Sequence, residues 1–102
     1  MDIDDVPIPV IEDFCRRWNI EEFALFGSIL SGQMQPESDV DVLVTVGGDT
    51  RLTLYDWVEM ADELKEIFDR EVDLVSKSGL RNPFRRHEIL RTQKVIYAST
   101  GS

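Results

Sequence analysis

Phe23-Ala-Leu-Phe-Gly-Ser-Ile-Leu-Ser-Gly-Gln-Met-Gln-Pro-Glu-Ser-Asp-Val-Asp-Val-Leu-Val44 joins two apolar, β-type runs through a Gly-Ser turn. On a β-strand successive side chains alternate between faces, so Asp39 and Asp41 share one face while Val40, Val42 and Val44 take the other. Asp is depleted in strands, and two neighbouring carboxylates in an apolar run repel each other. The pair makes physical sense with a divalent cation between them, because Mg²⁺ takes hard oxygen ligands and usually substrate phosphates as well. Upstream, 22–26 reads as a strand entering the turn at Gly27-Ser28. Residues 28–32 then read as a short helical turn whose first amides point at phosphate.

Further along, Glu71-Val-Asp-Leu-Val75 is a second β-rich run with Asp73 among apolar neighbours, where an unpaired charge is costly. If this strand lies beside the one carrying Asp39 and Asp41, three carboxylates converge. Such a cluster holds one or two Mg²⁺ ions, neutralises a triphosphate and stabilises departing pyrophosphate. Asp73 is then placed to accept the proton of an attacking hydroxyl.

The remaining chain alternates. Apolar residues at Val10, Ile11, Phe14, Cys15 and Trp18 predict a helix over 10–18, ended by Asn19. The loop 33–38 contains Pro36, and the central strand 39–46 closes at Gly47-Gly48. An apolar stripe through Leu54, Trp57, Val58, Ala61, Leu64, Ile67 and Phe68 predicts an amphipathic helix over 52–68. Residues 81–92 read as a helix with Phe84, Ile89 and Leu90 inward, 95–97 as a short edge strand, and Ser99-Thr-Gly-Ser as an unstructured terminus. The pattern implies an α/β (α+β) fold, a small mixed sheet with helices packed on one face, leaving the carboxylate face open.

At 102 residues, 42% hydrophobic and 30% charged, the chain suits one domain. No apolar run approaches the roughly 20 residues that span a bilayer, and Met1-Asp-Ile-Asp-Asp has the wrong charge for a secretory leader. A cytoplasmic setting is expected. Cys15 has no partner for an internal disulfide and reads as a small buried hydrophobe. His87 is the only histidine, which argues against a zinc site. A formal net charge of −9 argues against binding long nucleic acid, since that affinity comes mainly from Lys and Arg. Against this background Lys77 to Lys94 also holds Arg81, Arg85, Arg86 and Arg91, a basic cluster that suits phosphates, an acidic partner or a solvated helix face.

Leu25-Phe-Gly-Ser, Ser38-Asp-Val-Asp-Val-Leu-Val and Val72-Asp-Leu-Val, in that order, resemble the nucleotidyltransferase superfamily that includes DNA polymerase beta. Within it the chain is similar to the minimal nucleotidyltransferases, small prokaryotic proteins usually paired with a helical HEPN-domain protein as antitoxin and toxin. The resemblance covers roughly residues 9 to 98. It implies a polymerase beta-like fold, with Gly27, Ser28 and Ser38 binding nucleotide and Asp39, Asp41 and Asp73 as metal-binding catalytic residues. It further implies Mg²⁺-dependent transfer of AMP from ATP to a hydroxyl, expected to be a tyrosine of a cognate HEPN toxin. The alternative is an antitoxin that neutralises its toxin by binding alone. Many relatives continue the turn as Gly-Ser-Arg-Ala-Arg-Gly, whereas here Ile29 and Ser31 stand at the arginine positions.

Overall fold

Pro7 and Pro9 open the first helix, α1 (Ile8–Arg17), where a missing amide hydrogen costs no intrahelical bond. The structure, a computed structural model, describes residues 3–32, 35 and 37–99. The loop expected around Pro36 and the terminus after Ser99 therefore lie largely outside the described residues. A 3-10 turn at Ile3–Asp5 precedes α1. After α1 come β1 (Ile20–Phe26), α2 (Ser28–Ser31), β2 (Val40–Val46), α3 (Leu54–Phe68), β3 (Val72–Ser76), a 3-10 turn (Lys77–Gly79), α4 (Pro83–Thr92) and β4 (Lys94–Ala98).

The sheet order is β3-β2-β1-β4. β1 runs antiparallel to β2 and β4, while β2 and β3 are parallel. A parallel pair needs a crossover, and α3 supplies it. β4 is an edge strand, as its short apolar run suggests. Its far end is held where the Ser99 amide donates to the Glu21 carbonyl at 2.7 Å.

Alternation along β1 and β2 builds two apolar layers. Phe23, Leu25, Val40, Val42 and Val44 face α1 and α3, meeting Ile11, Phe14, Met60, Leu64 and Phe68. Each such large side chain contributes about 1.5–3 kcal/mol by leaving water. Phe14 and Phe23 meet edge-on, ring centroids 6.2 Å apart. Cys15 is fully buried here, and burial pushes its thiol up to about 12. On the other face, Ala24, Phe26 and Leu43 pack with Leu80 and with Ile89 of α4.

That second layer corrects the expectation of helices on one face only. α1 and α3 share a face, but α4 crosses the opposite one, so the carboxylate face is partly roofed. Three side chains expected inward are also turned out: Phe84 is 86% exposed at the start of α4, and Leu54 and Val58 of α3 are 78% and 51% exposed. α3 is closed at its N-terminus by a capping box, in which the Asp56 amide donates to Thr53 Oγ1 at 3.1 Å and the Thr53 amide to Asp56 Oδ2 at 2.9 Å.

Candidate functional site

Gly27 adopts φ 81°, ψ −145°, a conformation open essentially to glycine. This breaks β1 and starts α2, and the Leu30 amide donates back to the Gly27 carbonyl at 3.0 Å. A Cβ at Gly27 would also overlap the Asp41 carboxylate and stand 3.1 Å from its Cγ. The turn and the acid are thus in contact, as they must be if one ligand is to meet both. Ser28 is half-buried, and its carbonyl accepts from Ser31 Oγ at 3.0 Å. Ile29 points into the core at 2% exposure. An arginine at that position would put its charge among Phe and Val side chains, so the turn directs position 29 away from any phosphate.

The parallel register sets Asp41 directly beside Asp73. Asp39 lies two residues before Asp41 but outside the strand, which begins at Val40 and not at 39. Asp39 and Asp73 are exposed and Asp41 is half-buried. Asp73, expected among apolar neighbours, instead faces solvent on edge strand β3. Ser38 Oγ accepts from the Gln35 amide at 3.0 Å, which ties down the chain just before the acids.

The three acids feel one another's charge. Burial raises the Asp41 pKa above the usual carboxylate range, Asp73 and then Asp39 raise it further, and Arg85 opposes them. Among the described residues, no three His, Cys, Asp or Glu side chains are gathered closely enough to hold an ion. The donor chemistry nonetheless fits a hard divalent cation: three carboxylates on one side of the sheet, one raised by like charge, and no soft ligand beside them.

α4 borders the site from the other side. Between it and the Gly27 turn lies a cleft of about 580 Å³, into which Leu30, Ser31, Glu88 and Thr92 project. Glu88 and Thr92 carry no motif, and only the crossing of α4 brings them there. The basic cluster divides. Arg86 Nη1 donates to the Lys77 carbonyl at 2.9 Å, and Arg91 pairs with Glu88 at 2.8 Å. His87 is exposed. A second cavity, about 490 Å³, opens at the far ends of β2 and β3 beside Trp57, Gly47 and Ser76, away from every carboxylate of the site.

Residues 9–96 match the nucleotidyltransferase domain family. The chain is 33% identical over 82 residues to the protein adenylyltransferase MntA of Thermococcus cleftensis, covering 80% of this chain and 78% of that protein. A solved structure provisionally named a minimal nucleotidyltransferase superposes with a TM-score of 0.76 at 28% identity, covering 92% of this chain and 95% of the other. A chain from the complex of a tri-AMPylated Shewanella oneidensis HEPN toxin with MNT antitoxin superposes with a TM-score of 0.62 at 22% identity, covering 90% and 70%, a likeness of fold. With the family match running from α1 into β4 and enclosing the Gly27 turn and all three acids, the chain belongs to the nucleotidyltransferase domain family.

Proposed function

We propose that this chain moves AMP from ATP onto a hydroxyl, expected to be a tyrosine, of a HEPN-type toxin and thereby acts as its antitoxin. The observation that carries the reading is the in-register pairing of Asp41 with Asp73 beside the Gly27 turn. The relative named a protein adenylyltransferase and the AMPylated toxin complex of the same fold support it.

In this reading Gly27 and Ser28 receive the phosphates through backbone amides, with Ser38 completing the nucleotide contacts. Asp39, Asp41 and Asp73 hold Mg²⁺, which when bound supplies charge neutralisation at the phosphates. The acceptor oxygen forms a bond to the α-phosphorus, the α–β bridging bond breaks, and pyrophosphate leaves with that electron pair. Asp73, exposed at the edge of the sheet, accepts the hydroxyl proton. From that edge it has open access to an acceptor carried by another protein.

Ser31, exposed where many relatives carry arginine, favours the second reading of neutralisation by binding alone. One experiment separates the two. Incubated with the toxin, ATP and Mg²⁺, the wild-type chain is expected to add AMP mass to the toxin, and an Asp39→Ala, Asp41→Ala variant to add none. Equal neutralisation by both proteins, with no mass gained, would establish the binding-only reading.

A further inference from the structure

The arginines near α4 have different fates. Arg86 is fastened to the Lys77 carbonyl and Arg91 to Glu88. Arg81 is exposed and unpaired among the described residues but precedes α4, which Asn82 caps by accepting from the Phe84 and Arg85 amides. Arg85 is exposed, and its guanidinium makes no hydrogen bond or ion pair among the described residues.

Its direction follows from the helix. Residues four apart lie on one face, so Arg85 stands one turn before Ile89 on the stripe that meets the sheet. Ile89 packs in one cluster with Leu43 and Phe26. Leu43 is two residues beyond Asp41 on the same strand face, and Phe26 is the register partner of Asp41. The stripe therefore carries Arg85 over the sheet surface that displays the acids. Arg85 closes no salt bridge with the acids among the described residues.

We infer that Arg85 is the side-chain cation of the nucleotide site, reaching the polyphosphate of a nucleoside triphosphate seated at the Gly27 turn. This rests on the proposed nucleotidyl transfer and assigns one residue to it. A triphosphate entering beside three carboxylates meets strong like-charge repulsion, and a chain of net charge −9 offers little general attraction. An arginine that stays unpaired until the ligand arrives donates to phosphate in a fixed fork without first breaking another bond. Arg86 cannot take this role without releasing the 3-10 turn that follows β3.

The test is Mg²⁺-ATP binding by titration calorimetry, with melting curves of each ligand-free protein as the check on folding. Arg85→Ala is expected to weaken binding about tenfold, the loss of one charge-assisted contact. Arg85→Lys should recover part of that loss. Arg16→Ala removes the same charge from α1 on the opposite face and should leave binding unchanged. If Arg85→Ala binds as tightly as wild type, or Arg16→Ala weakens binding equally, the assignment is overturned while nucleotidyl transfer stands. If the wild-type chain binds no Mg²⁺-ATP, both fall.

Discussion

Asp41 holds its proton more tightly in the fold than in the unfolded chain, because burial and two neighbouring acids penalise its charge. The native state then binds more protons than the unfolded one between the two pKa values, so stability falls as pH rises through that window. The contribution is fully present below the unfolded pKa and lost once pH passes the folded one. In EDTA, Asp41→Asn should raise the melting temperature at pH 7 and flatten its decline as pH rises above the ordinary carboxylate range. An unchanged slope would show that Asp41 carries no such penalty. Ile29 behaves oppositely. Although it occupies an arginine position of many relatives, Ile29→Arg buries a charge and should cost roughly 2–4 kcal/mol in denaturant unfolding. That outcome was not legible from residue spacing, since the direction of position 29 is set by the left-handed Gly27 ahead of it. The identities of the acids were legible, because Asp in a Val-Leu run contradicts strand propensity and so stands out.

At the scale of elements, α3 was readable because its apolar period extends over four turns and ends in buried Phe68. Its first residue was not, since the capping box starts the helix at Leu54 and leaves that side chain outside the core. Thr53→Ala removes the oxygen that accepts from the Asp56 amide and should cost about 1 kcal/mol. By contrast, Phe84→Ser on exposed α4 should change stability by less than about 0.5 kcal/mol. Equilibrium unfolding in urea distinguishes the two, and a large loss at Phe84 would mean that this ring is covered in solution. α4 was legible in part: Ile89 is buried and Leu90 packs against the same cluster, while Phe84, in the first turn, lies beyond the sheet surface that they cover.

For the whole molecule, strand existence was legible but the layering was not. Alternation in β1 and β2 announces two faces without saying which helix covers each, and α4 is assigned to the acid face only by Ala24, Phe26, Leu43 and Leu80. The consequence is a domain whose ligand-free state carries unbalanced acid on a partly roofed sheet. Twenty acidic against eleven basic side chains leave that repulsion without general compensation. A cation and nucleotide that bind only the folded chain then stabilise it by mass action, by about 2.7 kcal/mol at a hundredfold excess over Kd. For a domain of this size each kcal/mol moves the midpoint by about 4–8 °C. Millimolar Mg²⁺-ATP should therefore raise the melting temperature by at least several degrees, ATP with EDTA by much less, and neither should move the Asp39→Ala, Asp41→Ala variant. A wild-type midpoint indifferent to Mg²⁺-ATP would remove the acids from any nucleotide site and leave Gly27 a purely structural turn.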